Sequence, residues 1–433
     1  MAIAAVHPDP PASALDTIVI GAGQAGLAVS RLLSKHGIPH VVFERGRIGD
    51  SWRRQRWDSF RVNTPNEINQ LPDGGLPSGG PQEFCTGDEL VRYFEEYSRR
   101  YGLAVQEGVH VQAVRPAEGG FEVKASGRRY RCRNVVVCSG DQNLPLKPLV
   151  AAELPDDILQ VHAADYRGSD QLPGGATLVV GSGQSGVQIV EDLLDARRRV
   201  YLCTSKVGRV PRRYRGKDIT AWIELAGLAE QRPEDLQDPD EVYARQVQIS
   251  GTRGGHSVSL HELGRRGAIL LGRLERVRGR VLHIGRDLQA NVAKGDEVSA
   301  QIRGAIDAFI AKAGLDAPPA EPDPTDAPFE GLWAMSRVHE LKLDETQILS
   351  VIWATGFGGD FSYLDPSFLD ERGRPAHQDG ICPVPGLYCV GLTWLRRRIS
   401  GLVGGVASDA EYVVSEIVKR RASTPVLSVE STR

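Results

Sequence analysis

Hydrophobic and polar positions along this chain switch between two periods, and the changeovers mark its elements. Thr17–Ile20 is a short β-branched apolar run of the kind that fills a buried parallel strand. Beyond it the pattern becomes helical in "LAVSRLLSKHG", closing on Gly37 as a C-cap, and "HVVFE" is a second buried strand ending at Glu44. The succession returns from Thr177: the run "TLVV", a glycine-rich turn, the helical "VQIVEDLLDA" and the strand "RVYLCTS". Between the two units, "VHVQAVRP", "FEVKAS" and "YRCRNVVVCSG" alternate as strands of a small antiparallel sheet, and "QNLPLKPL" is a proline-punctuated linker. After the second unit comes a long, mostly helical and polar insertion. The acidic, proline-rich "AGLDAPPAEPDPTDAP" reads as an exposed connection. "ILSVIWATGF" and "GLYCVGL" supply two later strands, and "SDAEYVVSEIVKR" a last helix.

Both turns carry GxGxxG: "GAGQAG" with Gly21, Gly23, Gln24, Ala25 and Gly26, and "GSGQSG" with Gly181, Ser182, Gly183, Gln184, Ser185 and Gly186. The first glycine permits the tight turn, the second lets backbone approach a pyrophosphate, and the third lets helix and strand touch. The phosphates then meet the unpaired N–H groups of the helix N-terminus. Glu44, followed by Arg45, stands where a carboxylate accepts from ribose hydroxyls and repels a 2′-phosphate, which suits FAD or NAD. The second unit has no such acid. Its strand ends in Thr204 and Ser205, then come Lys206, Arg209, Arg212 and Arg213, a change that suits the 2′-phosphate of NADPH. Which of these cations meets the phosphate is open at this level. Two unlike nucleotide sites in one chain imply electron traffic from a nicotinamide to a flavin.

The 433 residues exceed one ordinary core. A net charge of −3 offers no field for nucleic acid or an anionic membrane, and no apolar run is long enough to span a bilayer. The opening "MAIAAVHPDPPASALD" reads as a loose leader, not a signal peptide. The scattered Cys85, Cys132, Cys138, Cys203, Cys382 and Cys389 form no CxxC and suit a reducing cytoplasm. The expected fold is α/β with two Rossmann-like dinucleotide-binding domains of three-layer ββα type. Residues 1–153 form the first part of a discontinuous FAD domain, 154–326 the NADP domain with its insertion, and 327–433 the second FAD part.

Further segments carry a resemblance: "GDSWRRQRWDSFRVNTP" (49–65), "HAADYR" (162–167), "WATGF" (353–357) and "GLYCVGL" (386–392). With the two glycine turns they resemble the flavin-containing monooxygenases of the single-component FAD/NADPH class. Within these the chain is most similar to bacterial flavoproteins linked by name to potassium or heavy-metal transport. The resemblance implies that NADPH reduces FAD and oxygen adds at the flavin C4a. The resulting (hydro)peroxyflavin then passes one oxygen atom to a small organic substrate at a nitrogen, sulfur or carbonyl centre. It places Ser51 and Trp52 at the flavin, makes Asn63 the matched active-site residue, and gives His162, Tyr166 and Arg167 a linker role. Thr355 belongs to a hinge strand, and Gly391 lies at the flavin-side end of the last strand. Departures are Asp156 and Ile158 where the linker signature has Phe and Gly, Trp353 for Phe, and Phe357 for Tyr. No Pro follows Tyr166, which leans away from Baeyer–Villiger chemistry. A homodimer is compatible with the resemblance.

Two other functions fit both turns. A pyridine-nucleotide disulfide or ferredoxin reductase would need a reactive cysteine pair or a larger basic patch, and the sequence shows neither. A nucleotide-sensing regulator would need no turnover.

Overall fold

The computed structural model describes residues 15–238, 241–242 and 247–423, so the leader before Leu15 lies outside the described residues. The first glycine unit forms β1 (Leu15–Ile20), α1 (Gln24–Lys35) and β2 (His40–Glu44). α2 (Asp50–Arg54) and α3 (Gly87–Arg100) follow, then β3 (Val105–Glu107), β4 (Val111–Ala117), β5 (Gly120–Ala125) and β6 (Arg128–Val137). These strands assemble in the order β3-β2-β1-β6-β5-β4. β1 lies parallel to β2 and β6, with Ile18 opposite both Val41 and Val135. β6 is long enough for two duties: its first half pairs antiparallel with β5, and its second half joins the parallel core.

The short β7 (Leu144–Pro145) leads into a second sheet. Here β8 (Leu159–His162), β9 (Ala176–Val180), α4 (Gln184–Asp195) and β10 (Val200–Cys203) repeat the strand–turn–helix–strand succession. The insertion is more mixed than its composition suggests. It holds the hairpin β11 (Arg213–Tyr214) and β12 (Lys217–Asp218), then α5 (Ile219–Leu225) and α6 (Leu260–Arg265). β13 (Ile269–Leu271) joins the second sheet, and β14 (Leu274–Arg278) and β15 (Val281–Ile284) pair antiparallel. The 26-residue α7 (Leu288–Ala313) is its one long helix among the described residues. The acidic connection is mostly exposed as far as Pro322, touching the insertion at Ala317 and Pro318, and is anchored beyond it. Asp323 accepts from Ser257, and Asp326 pairs with Arg209 and Arg303.

α8 (Leu332–Met335), β16 (Glu340–Lys342) and α9 (Leu343–Thr346) lead to β17 (Ile348–Trp353). β17 corrects the expected boundary at residue 327. It lies parallel between β9 and β8, so the second parallel sheet runs β13-β10-β9-β17-β8. Hydrophobicity shows that a strand is buried but not which sheet buries it; that is set by the crossover and by register. The chain re-enters the first sheet only after β18 (Phe357–Gly358) pairs with β7. There β19 (Leu387–Cys389) lies parallel to β6, and α10 (Val406–Ser423) packs on α1. One apolar cluster runs through both halves, from Leu27 and Leu90 to Val187 and Leu202.

Candidate functional site

The two glycine turns are built alike. Gly21 and Gly181 have φ of 102° and 107°, a left-handed backbone that other residues rarely adopt. At Gly26 and Gly186 a Cβ would fall 1.8 and 1.9 Å from the carbonyl oxygens of Gly21 and Gly181, so only glycine lets helix meet turn. At Gly23 and Gly183 a Cβ would meet nothing within 4 Å. The middle glycines therefore border room, as a phosphate cradle requires. Neither α1 nor α4 has a side-chain N-cap or an acid in its first turn. α3 carries a full Thr86–Glu89 capping box, and α5 and α6 are capped by Asp218 and Ser259, whereas α2, α7, α8 and α9 share the lack of a side-chain cap but follow no GxGxxG turn. Unpaired N–H groups facing an open cradle fit a dinucleotide pyrophosphate at each turn.

Around the first turn, Glu44 closes the loop by accepting from the amides of Ala22 at 2.8 Å and Gly46 at 2.7 Å. Burial raises its pKa, and the two amides oppose that shift. Arg45 beside it is exposed. Trp52 donates from Nε1 to Gln24 Oε1 at 3.1 Å, tying the "GDSW" helix to the start of α1, while Ser51 is exposed. A Cβ at Gly391 would lie 2.5 Å from that of Ala25, so this glycine lets the end of the last strand approach α1. Arg56, which the sequence reading passed over, lies over the Trp52 ring at 4.8 Å. Burial lowers its guanidinium to about 10, and among the described residues no carboxylate lies in ion-pair range of it.

Around the second turn, Ser182 Oγ meets the Ser205 amide at 3.0 Å, Gln184 donates to the Val247 carbonyl at 3.3 Å, and Ser185 is half-buried. The run of cations splits. Arg209 is buried against Asp296 and Asp326. Arg212 is buried on Asp218 and the carbonyl of Asn63, and Arg213 donates to the carbonyls of Gly254 and Gly255. Arg212 is thus corrected from a phosphate candidate to a buried brace of the fold, while Arg213 stays exposed. A charge run says nothing about which members point inward, and the acids that capture Arg209 lie 87 and 117 residues away. Lys206 stays exposed at the end of β10.

Asn63 sits where the halves meet. Its Oδ1 accepts from Gln188 of α4 at 3.0 Å, and its carbonyl accepts from Arg212 at 2.8 Å. Gln188 was not foreseen. Its signal is a polar residue on the buried stripe of α4, beside Val187 and Ile189. The linker residues also join the halves. Tyr166 donates to Asp192 of α4 at 2.6 Å, and Arg167 donates to the carbonyls of Arg54 and Arg56. His162 is buried, bonded to the Gly356 carbonyl and the Ala164 amide, with its pKa lowered by burial. That fits an orienting group and not a proton carrier. Thr355 donates to the Leu146 carbonyl, joining the hinge strand to the linker.

All six cysteines are buried. Cys382 and Cys389 approach to 3.6 Å, but inside the apolar cluster that also holds Phe121 and Val137. A hydrogen bond between the two thiols and burial hold Cys389 well above the ordinary thiol range, the opposite of a reactive thiolate. No group of His, Cys, Asp and Glu among the described residues could hold a metal ion, and no described helix is long and apolar enough to cross a membrane.

Two glycine-turned helices without side-chain N-caps, each following a strand in the parallel part of its own sheet, define an oxidoreductase built around dinucleotides. The chain belongs to the pyridine nucleotide-disulphide oxidoreductase family, whose model matches residues 18–240, and to its flavin-monooxygenase-like branch. An uncharacterized CzcO-like oxidoreductase of Geobacillus kaustophilus is 31% identical over 408 residues, covering 93% of this chain and 98% of the relative. The flavin-containing monooxygenase from Stenotrophomonas maltophilia has the same fold, with TM-score 0.61 at 20% identity over 94% of this chain and 99% of that one. The complex of OTEMO with FAD and NADP gives TM-score 0.56 at 16% identity, over 94% and 86%.

Proposed function

We propose that the protein is a monooxygenase that binds FAD on the first parallel sheet and NADPH on the second, each acting as a Rossmann-like domain. The net reaction is NADPH, a proton, oxygen and a small organic substrate giving NADP⁺, water and the singly oxygenated product. The observation that carries this reading is Asn63, a residue of the first half held by Gln188 and Arg212 of the second, in a chain with two open glycine cradles. The cradles of Gly21–Gly26 and Gly181–Gly186 would hold the two pyrophosphates, with Glu44 near one ribose and Lys206 near the other's phosphate. When bound, FAD supplies two-electron exchange with the nicotinamide and the activation of oxygen. The chain supplies position and dryness: Trp52 and Gln24 fix the mouth of the first cradle, and the Asn63 amide offers a neutral donor that leaves the site's charge unchanged.

The test is the FAD-loaded protein with NADPH, oxygen and a panel of amines, thioethers and ketones, in ¹⁸O₂. The reading expects NADPH and oxygen to be consumed one to one and ¹⁸O to enter a product. Electron transfer to a dye with no oxygen uptake would make it a reductase. Nucleotide binding with no sustained oxidation would make it a regulator.

A further inference from the structure

We infer that Gln188 is a positioning residue that sets which end of the Asn63 amide faces the reaction space. The inference rests on the reading of Asn63 given above and follows from hydrogen-bond polarity. The Ile249 carbonyl can only accept. It lies 2.6 Å from Gln188 Nε2, and the same nitrogen lies 3.0 Å from Asn63 Oδ1. Both hydrogens of that nitrogen are thereby assigned. Asn63 must turn its oxygen toward Gln188, which leaves Nδ2 directed away as a donor. An isolated asparagine could present either end; here a backbone carbonyl makes the choice, relayed through one glutamine.

The carbonyl is itself anchored. The next-but-one residue, Gly251, passes so close to the Asn63 segment that a Cβ there would lie 2.1 Å from the Val62 carbonyl oxygen. On the other side Gln248 donates from Nε2 to the Ser182 carbonyl at 2.7 Å, inside the second glycine turn. The second turn is therefore linked to the Asn63 amide through Gln248, Ile249 and Gln188. Occupancy of the nicotinamide half and the donor presented to the flavin half share one hydrogen-bonded path.

Gln188→Met keeps the volume and removes the donor; Gln188→Glu keeps size and polarity but only accepts when ionised, so it attracts Nδ2 and turns the amide over. Each would be compared with Asn63→Leu and with the double variant Gln188→Met/Asn63→Leu, all FAD-loaded. The readouts are the rate of NADPH-dependent hydrogen peroxide release without substrate, and the change in the flavin's visible absorbance on adding NADP⁺. The inference expects all three single variants to release peroxide at least about tenfold faster and to blunt the NADP⁺-induced absorbance change. The double variant should be no worse than Asn63→Leu, as for residues acting in series. A merely structural Gln188 would lower the melting temperature and multiply its effect on that of Asn63→Leu, and this would overturn the inference. So would a Gln188→Met or, if that variant does not fold, a Gln188→Glu within twofold of the parent while Asn63→Leu is impaired. If Asn63→Leu were itself silent, the assignment of Asn63 and the inference would both fall.

Discussion

Arg212 grips Asp218 through Nε at 2.7 Å and Nη2 at 3.0 Å while its Nη1 donates to the Asn63 carbonyl at 2.8 Å. Both charged side chains are almost wholly buried, 2% and 4% exposed, and the guanidinium also lies over the Phe84 ring at 4.4 Å. Burial lowers the Arg212 pKa, and the Asp218 charge and hydrogen bond counter it. The arrangement makes the insertion part of the site, because a residue of the second half fixes the backbone of Asn63.

Removing one partner of such a pair strands the other charge, at about 3–5 kcal/mol. Arg212→Met should therefore lower the unfolding midpoint strongly, and adding Asp218→Leu should recover much of the loss. Were Arg212 a phosphate ligand instead, Arg212→Met would keep its stability and raise KM for NADPH alone. Denaturant unfolding of the single and double variants, with KM for both nicotinamides, separates the two.

Lys206, exposed just beyond β10, is the cation whose removal tests nucleotide choice. A point charge at an exposed strand end is expected to contribute about 1.4 kcal/mol toward a 2′-phosphate, which is tenfold in affinity. Lys206→Ala should raise KM for NADPH about tenfold and leave KM for NADH within twofold, with the difference shrinking at high salt. Equal effects on both nucleotides would remove Lys206 from this role.

Local chemistry was legible in the sequence and distant capture was not. Gly21, Gly26, Gly181 and Gly186 are required by geometry within a few residues, so their spacing alone announces the turn. The position of Glu44 at the end of the strand beside the turn was legible for the same reason, but its bonds to the Ala22 and Gly46 amides were not. Arg209 and Arg213 looked like part of one basic loop because nothing local shows that Asp296 and the Gly254–Gly255 carbonyls take them up; Asp218 lies only six residues from Arg212, but it reaches that side chain through a hairpin whose turn the charge run does not reveal. β17 was visible as a buried run, but its place between β9 and β8 is set by register. Gln188 could be flagged as a polar residue on the buried stripe of α4, but its partners Asn63 and the Ile249 carbonyl, 125 and 61 residues away, could not.

The Glu191–His256 pair gives a pH dependence with a defined sign. Burial pulls the His256 pKa down, but the Glu191 hydrogen bond and charge, with the Thr252 carbonyl, outweigh it, so the folded value is raised. Glu191 accepts from His256 at 2.8 Å and from Arg266 at 3.0 Å. A raised folded pKa stabilises fully below the unfolded value of about 6.5 and is lost as pH rises through the folded value. The melting temperature of the parent should thus fall, relative to that of His256→Gln, as pH rises from about 6.5. Parallel curves for the two proteins would show that the pair contributes no proton-linked stability.

The glycines of the first turn allow binding to be separated from folding. Gly23 is an extended N-cap residue with φ of −82°, a conformation alanine adopts freely, and its Cβ would point into open space. Gly23→Ala should fold with a midpoint within about 1 kcal/mol of the parent, since alanine is only a poorer cap. Its methyl group would occupy the approach to the pyrophosphate, so FAD should be held at least about tenfold more weakly, near 1.4 kcal/mol. Gly26→Ala puts a carbon 1.8 Å from the Gly21 carbonyl oxygen, and backbone on both sides leaves little room to yield. It should lose folding and FAD together, by several kcal/mol beyond the ~1–3 typical of overpacking. Gel filtration with flavin absorbance, beside melting curves without added FAD, distinguishes the two patterns. A Gly23→Ala variant that binds FAD as tightly as the parent would show that the first turn is not the flavin's phosphate cradle.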